Sequence, residues 1–407
     1  MTITCGIDWA EAHHDVAIMD SDGKILGRAK IDTGVVGFSQ LLSLLAEHAD
    51  DPTAVPVAIE TDKNLIVVAL QAAGMTVFAI NPRAVARYRE RHGQAGKESD
   101  PGDAALLADV LRTDRHQHRP LPVITDSGRA VKSLARQHQE AIWSLHQTTS
   151  RLRSVLLEFY PQALQAFPNL KHKAALTILA AASTPEIGAK MTARTVVVLL
   201  HRCGRRNDPS LVEQIVTDLK TPALRQPAAV EGALGTTVIG LIAIIVAMQS
   251  AVEQLETALG LEFDQHPLAP ILQSAPGLGP VLAARVLAEV GDDDTRFTTA
   301  NGLRAFAGTA PVTRASGRSR TVKARRVRNK RLTDACHWWA FAALTKSPGA
   351  RAHYDRRRAA GDHHNAALRN LANKLIGRMW WCLHNKQAWE EASAWNLAVV
   401  QVDQLAA

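Results

Sequence analysis

Four acidic residues in the first quarter of the chain have the types and settings that phosphodiester chemistry uses. Asp8 ends the apolar run ITCGID, Glu60 ends VPVAIE, and Asp100 and Asp103 lie in GKESDPGDAALLADVL. If the two runs are strands of one sheet, they present Asp8 and Glu60 at their ends. The spacing of three puts Asp100 and Asp103 on one face of a helix start. Carboxylates converging in this way can hold two divalent cations about 3.5–4 Å apart, the arrangement for in-line attack on a phosphodiester. Mg²⁺ is a hard ion and takes oxygen ligands, which is why the chemistry calls for Asp and Glu. Each acid also has a plainer reading. Asp100 before Pro101 is a good N-cap, Asp103 suits the positive end of a helix dipole, and Asp8 could simply end a strand. Glu60 is harder to dismiss, because a carboxylate closing an apolar run is costly unless ligated or paired. Asp15, Asp20, Asp62 and Glu98 compete for the role, and spacing alone does not choose.

The elements that must position these acids follow from hydrophobic periodicity. ITCGIDW, HDVAIMD and ILGRAKI read as a three-stranded meander, GFSQLLSLLAEH as a helix, VPVAIE as a buried strand. NLIVVALQAAG, MTVFAI and PRAVARYRERHG continue as helix, strand and helix. The order β-β-β-α-β-α-β-α suits a mixed sheet with helices packed on it, the layout of ribonuclease H and RuvC-like nucleases. From about 127 the pattern turns helical. Val131, Leu134, His138, Ala141, Leu145, Thr148, Leu152, Val155 and Phe159 recur at spacings of three and four, a seam that suits a coiled coil or a long bundle helix. A second long helix over about 229–260 is its candidate antiparallel partner. From 267 the sequence LAPILQSAPGLGPVLAARVLAEVG predicts helix, Gly-rich turn, helix, the shape of a helix–hairpin–helix whose turn amides can face a phosphate. An ordinary tight turn fits it equally well.

Charge is unevenly spread. The chain has 407 residues and a net charge of +8. Residues 301–380 hold 18 Lys and Arg against 3 Asp and Glu, a local +15 that leaves −7 elsewhere. From Arg314 to Arg331 nine of eighteen residues are basic with no acid between them. A polyanion partner is the expectation, nucleic acid first. The four cysteines have neither metal-ligand nor redox spacing, and no apolar leader opens the sequence, so a reduced cytoplasmic protein is expected. Gly232 to Val252 carries no charge over 21 residues, yet only the 11 from Val238 to Met248 are strongly apolar. It reads as a buried bundle helix rather than a membrane span.

GIDWAEAHHDVAIMD, VAIETD and GKESDPGDAALLADVLRTD together resemble the N-terminal domain of the DEDD insertion-sequence transposases. APGLGPVLAARVLAEVGD with GLRAFAGTAPVTRASGRSR and the basic run resembles that family's second domain. The resemblance covers roughly 1–125 and 267–385. It implies a RuvC-like metal site with the tetrad on Asp8, Glu60, Asp100 and Asp103. It also implies a nucleophilic serine in a Ser-Gly pair, here Ser316 before Gly317. The serine is expected to form a covalent link to DNA in a composite site with the acids, between subunits. Donor and target DNA, an element-encoded guide RNA, Mg²⁺ and assembly into dimers or tetramers are the implied partners, with no membrane. Arg314, Arg318, Arg320, Lys323, Arg325, Arg326, Arg328, Lys330 and Arg331 are the expected nucleic-acid contacts.

The expected architecture is therefore an α/β RuvC-like domain over 1–125, a helical coiled-coil region over 126–266 for oligomerisation, a mainly α-helical transposase domain over 267–385, and a tail over 386–407. Two other functions stay open: a RuvC-like junction nuclease that uses metal-activated water, and a nucleic-acid-binding protein without chemistry. Trp338, Trp339, Trp380 and Trp381 lie in apolar helical runs and read as core rather than base-stacking residues.

Overall fold

Apolar residues at alternate positions give the first strands one dry face against helices, and small residues prepare the other. The structure, a computed structural model, describes residues 3–92, 100–206 and 208–395. It divides into two units, Met1–Val123 and Ile124–Ala407.

In the first unit β1 (Thr4–Trp9), β2 (His13–Met19) and β3 (Ile25–Asp32) form an antiparallel meander, and β4 (Val57–Ile59) and β5 (Val77–Ala79) extend it in parallel. The five strands run in the order β3-β2-β1-β4-β5. Helices α1 (Gly34–Ala46) and α2 (Leu65–Ala72) cover one face, where Cys5, Ile7, Val16, Val57 and Ile59 pack on Leu41, Leu45 and Leu70. Helices α3 (Pro82–His92) and α4 (Asp100–Asp114) cover the other, where Ala58 and Phe78 pack on Val85, Leu107 and Leu111. The sheet is therefore mixed, with helices on both faces, as the hydrophobic periodicity predicts.

The second unit is mostly helical, as expected. Its spine is α5 (Asp126–Phe159), which carries the predicted seam, with Val131, His138, Leu145, Leu152 and Phe159 all buried. Five short helices follow: α6 (Pro161–Ala166), α7 (Lys173–Ala181), α8 (Pro185–Ala189), α9 (Ala193–Arg202) and α10 (Pro209–Lys220). Then α11 (Ala228–Asp264) returns antiparallel to α5. Thr148 meets Met248 at 3.7 Å, and His138 faces Glu256 at 3.7 Å. By length and composition α11 can cross a membrane, and a third of its apolar stretch is buried. Val238, Leu241, Ile242 and Ile245 join the core that α5 shares with the short helices.

A second core gathers the C-terminal helices α12 (Ala269–Gln273), α13 (Pro280–Val290), α14 (Ala300–Phe306), α15 (Lys330–Ala343), α16 (Pro348–Ala359), α17 (His364–His384) and α18 (Glu391–Trp395). Trp339 anchors it, fully buried, its Nε1–H donating to the Pro276 carbonyl at 3.0 Å. Gly277, in the Gly-rich turn before α13, sits at φ +78° with its missing Cβ only 2.6 Å from the Ala343 amide nitrogen. Close packing on α15 therefore accounts for this glycine.

One exception to the helical character is a hairpin, β6 (Val312–Ser316) and β7 (Ser319–Lys323). Its far end is fixed through Asn329, which caps α15 by accepting from the Leu332 amide and donates to Glu289 at 2.7 Å. Buried Glu289 also takes a two-pronged pair from Arg136 of α5, at 2.8 and 2.9 Å. Glu289→Ala removes the buried carboxylate that both Arg136 and Asn329 engage. We expect a loss of about 3 kcal/mol in urea unfolding, because removing one partner of a buried pair leaves an uncompensated charge. A loss under about 1 kcal/mol would show that the network contributes little.

Candidate active site

Ile7 of β1 and Ile59 of β4 are direct partners in parallel register. Asp8 and Glu60 therefore follow at the same level, at the C-terminal ends of adjacent strands. Side chains alternate along a strand. Ile7 and Ile59 point into the core under α1 and α2, so Asp8 and Glu60 share the opposite face with Gly6 and Ala58, the face that α4 covers. Gly6 is the closest contact with α4: a Cβ there would stand 2.0 Å from the Ala104 carbonyl oxygen and 2.5 Å from the Ala108 amide. Thr4 Oγ1 donates to the Ala108 carbonyl at 3.0 Å and fixes the same helix to β1. The first turn of α4 brings Asp103 toward Glu60. Asp100 opens α4, and its side chain lies outside the described residues.

The electrostatics record that approach. Burial raises the Glu60 carboxyl above its ordinary range, the Asp103 carboxylate raises it further, and Arg89 opposes both. Arg89 of α3 donates through Nη2 to Asp103 Oδ1. Two carboxylates that repel each other beside the Arg89 guanidinium form a site that a cation would relieve. The donors are all oxygen, which fits Mg²⁺. Among the described residues no three His, Cys, Asp or Glu side chains stand close enough to form a finished cage.

Of the competing acids, Asp20 is explained by its turn, accepting from the Asp22 and Lys24 amides at 3.0 and 2.9 Å. Asp15 is different. It pairs across the ladder with Asp8, so it shares that residue's face, and it is buried with His13 Nε2 at 3.6 Å. Glu98 lies outside the described residues. Arg89 was not singled out in the sequence. Its only signal there is a basic residue on the helix before the GKESDPGD motif.

Ser316 ends β6 and is exposed. Gly317 and Arg318 make the two-residue turn. Gly317 has φ +54°, and Arg318 is not among the residues with positive φ. Those φ signs match a type II′ turn, which favours glycine at its first central position. No His, Asp or Glu occurs between Val312 and Lys323. Arg314, Arg318, Arg320 and Lys323 are all exposed on the hairpin. The connector to α15 carries Arg325, Arg326 and Arg328. Arg328 donates to the Arg325 carbonyl at 2.6 Å. Lys330 and Arg331 begin α15, where Arg331 pairs with Glu140 at 2.8 Å and lies over the Trp143 ring. Half of Trp338 is exposed beside Phe341, whereas Trp339 is core. Neighbouring helical positions point about 100° apart, so adjacent tryptophans do not share one environment.

Comparison with known proteins covers both regions. A transposase family model, of the DEDD type of IS110, matches residues 5–161. A second, described as the transposase family of IS116/IS110/IS902, matches residues 269–355. An IS117 transposase of Streptomyces coelicolor is 48% identical over 400 residues, 97% of each chain. A protein of the insertion element IS110 from the same species is 29% identical over 93% of each chain. One of IS900 from Mycobacterium paratuberculosis is 27% identical over 96% of this chain and 98% of its own. Asp8, Glu60, Asp100 and Asp103 fall within the first match and Ser316 within the second.

Proposed function

This chain belongs to the IS116/IS110/IS902 family of transposases, which are DNA-processing enzymes, and from that premise we propose a division of labour in its chemistry. A RuvC-like N-terminal domain supplies an acidic site on Asp8, Glu60, Asp100 and Asp103. The C-terminal domain, over 267–385, supplies Ser316 as nucleophile. The observation that carries this reading is the placement of Asp8 and Glu60 side by side at the ends of parallel strands, facing the helix that bears Asp103.

The acids would hold Mg²⁺, probed as one or two ions per site, and the bound cation would neutralise charge on phosphoryl oxygens. Ser316 Oγ attacks the phosphorus of a strand, forming an O–P bond as the P–O bond to one strand end breaks. Ser316 Oγ gives up its proton and the departing end takes one up to leave as a hydroxyl, so protons and phosphodiester bonds balance and the step can run backwards onto a new strand. Because the hairpin's own sequence offers no general base, the serine relies on groups brought to it by assembly with the acidic site. The acids and the serine lie in different units, so that assembly is part of the reading.

The basic hairpin and connector suit the backbones of donor and target DNA and of a guide RNA. The exposed apolar residues Ile239, Ile244 and Val246 of α11 support self-association through the α5–α11 pair as a coiled coil, and covering them with a second copy would suit a cytoplasmic protein with no membrane partner.

Strand cleavage in Mg²⁺ with the element's RNA tests the proposal, using Ser316→Ala and Asp8→Ala. A serine recombinase loses cleavage in both. A water-using junction nuclease keeps it in Ser316→Ala, and a binding protein cuts in neither the wild type nor the variants.

A further inference from the structure

We propose that the β6–β7 hairpin is two-sided, and that Arg314 is the positioning residue for the phosphate attacked by Ser316 while Arg320 is not. The inference rests on the serine reading above. Its basis is the hairpin register: Ser316 pairs with Ser319, Ala315 with Arg320, Arg314 with Thr321, Thr313 with Val322 and Val312 with Lys323. Directly paired residues in an antiparallel ladder lie on the same face, and faces alternate along each strand. Ser316 therefore shares its face with Arg314, Ser319, Thr321 and Lys323. Arg320 stands on the reverse face with Ala315 and the largely exposed Val322.

Distances along the strand then separate the basic residues. Arg314 is one alternation step from Ser316, about 7 Å between Cα atoms, and an extended arginine spans that gap to a phosphate touching Oγ. Lys323 lies one step beyond Arg314 along the row, about 13 Å from the turn, where it meets the next phosphates of the same strand. Among the described residues no ion pair engages Arg314, unlike Arg331, which is held by Glu140. The guanidinium fork of Arg314 matches two phosphate oxygens at once, which a lysine point charge does not. The sequence alone gives no such division, since Arg314 and Arg320 lie two and four residues from Ser316 on either side of one turn.

The test uses the full chain with its RNA and labelled donor DNA. It measures DNA affinity against salt, and the rate of serine–DNA adduct formation at saturating DNA. Arg314→Gln should slow the adduct by about 10²–10³-fold at saturation, the loss typical of one charge-stabilising donor. Arg314→Lys should recover part of that rate. Arg320→Gln should act on affinity, lowering the salt slope by about 1, with the saturated rate reduced less than tenfold. Equal loss of saturated rate in Arg314→Gln and Arg320→Gln overturns the two-sided hairpin while leaving the serine reading intact, as does a wild-type rate in Arg314→Gln. A wild-type protein that forms no adduct removes the serine reading and this inference together. Circular dichroism of the exposed-hairpin variants guards against misfolding.

Discussion

Glu60→Gln is expected to lower DNA cleavage by about 10³-fold or more while raising the melting temperature of the metal-free protein. Under the metal site proposed above, the first effect follows from losing a ligand for a cation that would supply several kcal/mol at a phosphoryl oxygen, each 1.36 kcal/mol being a factor of ten. The second follows from the raised Glu60 carboxyl. A folded-state value above the unfolded one, about 4.3, means that the ionised form is the less stable in the folded protein. That cost is absent at acid pH and grows as pH rises through the folded value. A neutral glutamine removes it, so the gain appears near neutrality and vanishes below about pH 4. Solvent screening keeps it small, because Glu60 is only partly buried. Opposite signs on stability and activity mark a residue kept for chemistry. Thermal unfolding in a chelator and cleavage in Mg²⁺ measure both, and a Glu60→Gln protein less stable than wild type would point to a structural role instead.

Gly6→Ala is expected to force apart β1 and α4 in the first unit. Its Cβ would meet backbone atoms of Ala104 at 2.0 Å and Ala108 at 2.5 Å, and the Leu107 Cβ at 2.9 Å. Backbone cannot rotate away as a side chain can, so α4 must lift off the sheet. Overpacking of this kind costs about 3 kcal/mol, roughly a 10 °C fall in melting temperature. The same displacement carries Asp103 away from Glu60, so metal binding should weaken alongside. A melting temperature within a degree of wild type would mean that α4 does not press on β1.

Much of this arrangement is legible in the sequence because burial imposes periodicity. The strands around Asp8 and Glu60 have a dry face under α1 and α2, and alternate apolar residues reveal it. The α5 seam is equally visible, since its residues sit against α11 and the short helices. The hairpin leaves no such trace. VTRAS and SRTVK are exposed on both faces, so nothing forces alternation, and the segment reads as a basic run. Only the turn chemistry of Gly317 and the β-branched Val312, Thr313, Thr321 and Val322 hint at strands. For the same reason Arg331 is indistinguishable in sequence from Arg314, although Glu140 and Trp143 of α5 engage it. Asp15 is hidden differently: it is one acid among several until antiparallel pairing places it beside Asp8.

In the proposed reaction Ser316 carries the DNA covalently. The direct measurement is a denaturing protein gel of wild type and Ser316→Ala, each incubated with end-labelled donor and target DNA, the element's RNA and Mg²⁺. The wild type is expected to give a labelled protein band that requires Asp8 and is absent from Ser316→Ala. Cleaved DNA with no labelled protein, undiminished in Ser316→Ala, would contradict it and leave a nuclease that uses water.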